Sequence, residues 1–171
     1  MTIEDYKLLA ETFESVATII SIIVGGIWIY MRFVRQQERY PNIISTADIN
    51  TIGKQGDYWI IELIAILENK GRSQHKMDIF NFDLYAIKKG DEIEDDSNFG
   101  GQVKLQHLIK KGSFLPSGMD FFFIDPGTSA KYSFLVRVPL DSTFVVLHTN
   151  FKYLNRKNYG HTAERTVMLP I

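Results

Sequence analysis

A chain of 171 residues with 45% hydrophobic and 23% charged side chains can bury a substantial core without metals or disulfides, which excludes wholesale disorder and a life wholly inside a bilayer. Its 19 Lys and Arg against 20 Asp and Glu leave a net charge of −1, without the basic excess of a general nucleic-acid binder. The chain holds no cysteine, so disulfides, thiolate nucleophiles and sulfur-ligated zinc or iron–sulfur sites are excluded within it.

The N-terminal leader has helical periodicity, with Ile3, Tyr6, Leu9, Ala10 and Phe13 on one face and Glu4, Asp5, Glu11 and Glu14 mostly opposite. Thr2 followed by Asp5 has the spacing of a capping box. From Ser15 to Met31 the run SVATIISIIVGGIWIYM then carries no charge over 17 residues, bounded by Glu14 and Arg32. Apolar side chains on every face suit surroundings that are apolar everywhere, rather than the one buried side of a soluble core helix. At about 1.5 Å per residue the run covers roughly 25 Å of a ~30 Å hydrocarbon core. Phe13, Phe33 and Val34 extend it, so the spacing predicts a transmembrane segment at about residues 15–34. Arg32, Arg35 and Arg39 can snorkel to the lipid interface, where Trp28 and Tyr30 form an aromatic belt. Pro41 turns Tyr40 away from helix, which predicts one helix from Ile3 to about Arg39, roughly 55 Å long, with a soft point at Gly25-Gly26.

A secretory signal would need a basic leading region and a small-residue cleavage site. Here the leader is acidic, and MRFVRQQER follows the apolar run, so the segment is expected to stay as an anchor. The arginine excess on the C-terminal flank predicts a single-pass protein of the cell membrane, its N-terminus outside and its C-terminal domain cytoplasmic. Each juxtamembrane arginine would add about 1 kcal/mol of attraction to anionic lipid. Ala17, Ser21 and Gly25 recur every four residues on one stripe, a helix-packing pattern that suits a homo-oligomer, though small residues are also common in membrane helices generally.

Beyond Pro41 the periodicity becomes alternating, which divides the chain into residues 1–40, the helix, and 41–171, a β domain. Eight strands are expected: Ile43 to Ile52, Tyr58 to Glu68, Lys76 to Ile87, Val103 to Lys110, Met119 to Ile124, Ala130 to Val138, Thr143 to Lys152 and His161 to Leu169. Turn-forming segments separate them, including NKGRS, KGDEIEDDSNFGG and DPG. Alternation assigns Phe80, Phe82, Leu84 and Ala86 to a buried face, with Asn81, Asp83 and Tyr85 opposite. Tyr132, Phe134, Val136 and Val138 do likewise, as do Trp59, Ile61, Leu63, Ala65 and Leu67. Ile60, Ile64 and Ile66 make the second strand apolar on its other face too, so a partner subunit or another element is expected there. Asp125-Pro126-Gly127 suits a tight turn.

The succession ENKGRSQHKMDIFNFDLYAI, DPGTSAKYSFLVRVPLD, TFVVLHTNFKY and TAERTVMLP resembles immunoglobulin-like, fibronectin-type or CARDB-type β sandwiches over roughly residues 43 to 170. The resemblance implies a mainly β fold: an N-terminal transmembrane α-helix followed by an immunoglobulin-like antiparallel β sandwich. There is no Cys…Trp…Cys framework of the antibody type. Such folds host adhesion, scaffolding and sensing alike.

The four histidines, His75, His107, His148 and His161, lack metal-ligand spacing. His107, alternating with Val103, Leu105 and Ile109, reads as a hydrogen-bonded core histidine. His148 and His161 can face each other across the last hairpin. Phosphate loops and a GxSxG nucleophile are missing, and the calcium-like start Asp96-Ser97-Asn98-Phe99-Gly100 has His107 where a glutamate should fall. Asp91, Glu92, Glu94, Asp95 and Asp96 read as a solvated loop. Lys152, Tyr153, Arg156, Lys157, Tyr159, His161 and Arg165 form a candidate ligand-binding hairpin. Basic residues interleaved with aromatics can hold the phosphate of a nucleotide, nucleic acid or lipid headgroup, the alternative being an exposed soluble tip.

No enzyme, cofactor or metal centre is expected. The leading expectation is a membrane-anchored, non-enzymatic interaction or accessory subunit whose cytoplasmic β sandwich binds a protein partner. The alternative is a membrane-perturbing effector gated by ligand binding to the β domain, similar in layout to bacterial defence effectors.

Overall fold

A computed structural model describes residues 3–35, 41–97, 100–154 and 156–170, in two compact units, Met1–Pro41 and Asn42–Ile171. In the first unit α1 (Ile3–Ile29) continues as a π-helix over Tyr30–Arg35, so helical geometry reaches at least Arg35. The expected helix end at Arg39, and Thr2 of the capping box, lie outside the described residues. α1 runs unbroken through Gly25-Gly26, and the winding widens instead at Tyr30. Ile19, Ile20, Ile22, Ile23, Val24 and Ile27 are all exposed, so every side of the helix presents hydrocarbon.

Four hydroxyls on α1 are satisfied internally. Thr12, Ser15, Thr18 and Ser21 each donate to the carbonyl four residues back, at 2.7, 2.9, 2.8 and 2.8 Å. A helix that hides its own polar groups in this way can sit in hydrocarbon without an unpaired donor.

The second unit is mainly β, and every strand pair is antiparallel. β1 (Ile43–Gln55), β2 (Tyr58–Asn69) and β8 (Ser129–Pro139) form a three-stranded sheet in the order β1-β2-β8. The larger sheet runs β10-β9-β3-β6, with β3 (His75–Lys88), β6 (His107–Ser113), β9 (Ser142–Tyr153) and β10 (Arg156–Met168); β7 (Phe122–Ile124) pairs with the first residues of β3. β4 (Asp95–Asp96) and β5 (Gln102–Val103) make a separate two-stranded ladder.

The two large sheets share one core, built from the alternating residues of their facing strands. The Phe80 ring meets Tyr132 of the other sheet at 5.1 Å, and Phe82 meets Phe134 at 5.0 Å. Such offset and edge-on pairs add roughly 0.5–1.5 kcal/mol each beyond their burial. Trp59, Ile61, Leu63, Ala65 and Leu67 are buried, as the alternation predicts. On the opposite face of β2, Ile64 is only 8% exposed; its neighbours on β1 and β8, Asp48 and Ser133, flank it in the register.

The expected strand from Val103 to Lys110 is split into β5 and β6, and Met119–Phe121 lie outside β7. The split has a physical cause. Lys104 N donates to Glu94 O at 2.8 Å and Gln106 Nε2 to Glu92 O at 2.9 Å, so this stretch bonds to the acidic segment before it instead of to β3. The turn at Asp125-Pro126-Gly127 forms as expected, with Gly127 at φ 70° and Thr128 N donating to Asp125 O at 3.2 Å.

Candidate functional site

The residues picked from sequence are distributed as follows. Ala17, Ser21 and Gly25 lie along α1, with the Ser21 hydroxyl turned onto Ala17 O. Trp28 and Tyr30 are exposed, and the Arg32 guanidinium stacks over the Trp28 ring at 4.9 Å, one turn away. Arg39 lies outside the described residues, as do the side chains of Arg35, Arg156 and Lys157.

The basic hairpin does not gather its described members into one pocket. Tyr153 is buried in the core, where its ring meets Phe151 and His161. Lys152 faces outward, opposite Gly160, and Tyr159 is exposed. Arg165 lies further along β10, paired in register with Leu147, and its Nε sits 3.2 Å from Asp48 Oδ1 on β1. Between Arg156 and Gly160 the register shifts, and a Cβ at Gly160 would lie 2.5 Å from the Phe151 carbonyl oxygen, so only glycine lets the strands approach there.

The histidines correct the sequence reading in two places. His148 and His161 sit on opposite faces of the larger sheet: His161 pairs with Phe151 and stacks on its ring at 5.1 Å, while His148 pairs with Glu164 on the outer face, 2.9 Å from its carboxylate. Burial holds the His161 imidazole below its ordinary pKa. His107 is half exposed instead of a core residue, and its Nε2 lies 3.2 Å from the Asp91 carboxylate. Asp91 also accepts the Lys88 backbone N–H at 2.7 Å; that bond and His107 hold its carboxyl below the usual carboxylate range. The acidic run is therefore only partly a solvated loop: Asp91 ties it to β3 and β6, and Glu94 pairs with Lys104 at 2.9 Å.

Two surfaces emerge, the first of them the face of the second strand on which a partner or another element is expected from sequence, the second not assembled by the sequence reading. The first is the outer face of the three-stranded sheet, which carries Ile44, Ile60, Ile64, Ile66 and Leu135 interspersed with Glu62, which lies opposite Leu135, and with Glu68 and Asp48; Leu135 is 62% exposed. Lys131 and Arg137 alternate with Leu135 along β8, which has no second strand neighbour among the described residues. The second is the outer face of the five-stranded sheet beneath the flap of residues 89–97 and 100–106, with a cavity of about 600 Å³ lined by Ile87, Phe144, Val146, Val103 and Leu105 among others. A smaller space of about 290 Å³ adjoins it at Tyr85 and His148, sharing Gln102, Val103 and Leu105. The signal for both was present in the apolar residues on the second face of a strand, Ile60, Ile64 and Ile66 in β2 and Phe144 and Val146 in β9. Among the described residues no cluster of His, Asp or Glu has metal-binding geometry.

No protein-family model and no curated protein matches the chain. Solved structures resemble its fold. A Bordetella pertussis protein given the name ApaA is 12% identical with a TM-score of 0.50, over 76% of this chain and 95% of that one. The structural-genomics target SoR45 is 13% identical with a TM-score of 0.47, over 75% of this chain and 87% of that one. Spo0M, a sporulation control protein of Bacillus subtilis, is 16% identical with a TM-score of 0.43, over 73% and 48%. At such identities the likeness concerns fold alone, and the class it defines is a mainly β domain of antiparallel sheets.

Proposed function

We propose that this chain is a single-pass membrane-anchored, non-enzymatic interaction subunit whose cytoplasmic β domain binds a protein partner. The observation that carries the reading is α1, the one described helix long and apolar enough to cross a membrane, at Tyr6–Phe33. Its hydrocarbon is exposed on every side, its hydroxyls are bonded internally, and Arg32 on Trp28 marks a charged, aromatic boundary at its C-terminal end. The arginine flank favours the β domain on the cytoplasmic side.

The β domain reads as an immunoglobulin-like sandwich of the fibronectin kind. The sheet orders β1-β2-β8 and β10-β9-β3-β6 support that reading, since they follow the A-B-E and G-F-C-C′ orders of such sandwiches. For the partner, Ile64 and Leu135 supply an apolar centre beside Glu62, and Lys131 with Arg137 a basic rim. This combination suits a protein surface with an apolar centre and an acidic edge. The effector alternative draws no support from the hairpin, where Tyr153 is buried and Arg165 is paired with Asp48.

The test is a photoreactive amino acid at Leu135 in the full chain, expressed in host membranes, with Asn150 on the other sheet as control. A discrete adduct at Leu135, lost when Lys131 and Arg137 are changed to Glu, supports the interface. Equal labelling at both sites, or an adduct indifferent to the charge reversal, overturns it.

A further inference from the structure

Charge distinguishes the two ends of the β domain. Ile43, the first residue of β1, pairs with Asn69, which is bonded to Ile124 and Thr128. Ile124 pairs in turn with His75, Met77 with Tyr153, and Tyr153 with Arg156. Residues 68–77, 116–129, 151–154 and 156–160 therefore meet at the end where the chain enters the domain. They hold six basic residues, Lys70, Arg72, Lys76, Lys152, Arg156 and Lys157, against Glu68, Asp120 and Asp125. The opposite end, residues 52–58, 88–97, 100–106 and 139–143, holds four Lys against seven Asp and Glu. A chain of net charge −1 is thus polarised, basic where it enters and acidic at the far end.

The basic end also exposes hydrocarbon. In β7 the residues Phe122 and Ile124 are buried, so alternation turns Phe123 outward, where it pairs with Lys76. Met119 and Phe121 are exposed beside it, and the Lys76 ammonium lies 3.3 Å from the centre of the Phe121 ring. Apolar side chains such as Ile52 and Ile93 are exposed at the far end too, but there they stand among carboxylates, which anionic lipid repels. Aromatic rings interleaved with lysines suit the boundary between headgroups and acyl chains. Eight residues lead from Arg35 to Ile43, a stretch that spans at most about 28 Å even when fully extended. A bilayer crossed by α1 is therefore a surface that the chain itself holds within reach of this end.

We propose that the entry end of the β domain lies on anionic phospholipid of the membrane that α1 crosses, with Met119, Phe121 and Phe123 at headgroup depth and Lys76 and Lys152 among the phosphates. The inference rests on the reading of α1 as the anchor and is independent of the partner face on the three-stranded sheet. It gives the basic hairpin a role that needs no pocket, because a lipid surface is met by side chains spread over one end of the domain.

The experiment uses the full chain reconstituted in vesicles of phosphatidylcholine and phosphatidylglycerol in equal parts. Because the chain has no cysteine, Met119→Cys carries a single nitroxide at the entry end and Gln55→Cys one at the far end. Collision with oxygen, which concentrates in lipid, is compared with collision with a nickel chelate, which stays in water. The ratio of the two is expected to be about fivefold higher at position 119 than at position 55. Lys76→Glu with Lys152→Glu, both exposed, lowers the ratio at position 119 at least about twofold, as do Phe123→Glu and vesicles of phosphatidylcholine alone. Lys131→Glu with Arg137→Glu leaves it unchanged, and an equal loss there would contradict the assignment to this end. Equal ratios at the two positions in a chain that floats with the vesicles overturn the inference while the anchor reading stands; a chain that does not float fails both. A high ratio that survives both the lysine reversal and the removal of phosphatidylglycerol, or one that requires added soluble host protein, also overturns it.

Discussion

Asn69 Nδ2 donates to the carbonyl oxygen of Ile124 at 3.0 Å, across 55 positions of chain. The same amide donates to Ser73 O at 2.9 Å, and its Oδ1 accepts the Gly71 N–H at 2.9 Å. Its backbone takes part as well, Asn69 N donating to Thr128 O and Gly127 N donating to Asn69 O. One fully buried side chain thus locks the NKG turn after β2 to the DPG turn before β8.

Asn69→Ala leaves the Ser73 and Ile124 carbonyls and the Gly71 N–H without their partner. At about 1–3 kcal/mol for a buried group left unpaired, a loss of roughly 2–4 kcal/mol is expected, after partial relaxation. Thermal and urea unfolding of the full chain in amphipol, followed by the β-sheet circular dichroism signal, measures it. A change under about 0.5 kcal/mol, the scale of an ordinary surface substitution, would refute the role given to Asn69.

Gly160→Ala places a methyl group 2.5 Å from the Phe151 carbonyl oxygen, which is backbone and cannot swing aside. A cost of about 1–3 kcal/mol is expected from the forced separation of β9 and β10. Gly53→Ala is the control, since a Cβ there meets nothing within 4 Å and the φ angle is not positive. Equal stability of the two variants would contradict the close approach at Gly160.

Burial holds the His161 imidazole below its ordinary pKa, so the folded state favours the neutral ring and the unfolded state binds the extra proton. Stability should therefore fall as pH drops below about 6.5 and level off below the depressed folded value. Asp91, lowered from 3.8, adds a second loss at more acid pH, as its carboxylate is protonated. His161→Phe keeps the ring on Phe151 and should abolish the first loss while sparing the second. A pH profile of the melting temperature that His161→Phe leaves unaltered between pH 7 and 5 would disprove this.

Arg165→Ala removes an ion pair whose two side chains are about half exposed, Arg165 Nε to Asp48 Oδ1. Exposed pairs contribute about 0.2–1 kcal/mol, further reduced by salt, so a small and salt-sensitive loss is expected in chemical denaturation. A loss above 2 kcal/mol would mean that β10 depends on β1 through this contact far more than its exposure implies.

The strands were legible because a period of two shows through wherever one face is buried, as in Phe80, Phe82, Leu84 and Ala86. The helix was legible for the opposite reason, that no face of it is polar. What alternation cannot give is register. Which histidine faces which residue depends on the bulge between Arg156 and Gly160, and this puts Glu164, not His161, beside His148. The flap was hidden because Asp91, Glu92 and Glu94 find their partners at His107, Gln106 and Lys104, contacts that no local pattern in an acidic run announces.

The most direct test is the topology of the full chain in cells of its host, with a reporter fused after Ile171 and protease added from each side of the membrane in turn. The β domain should sediment with membranes, resist alkaline carbonate extraction, and be cleaved only when protease reaches the cytoplasmic side. A β domain released to the soluble fraction, or cleaved from outside in intact cells, would contradict a cytoplasmic interaction subunit anchored by α1.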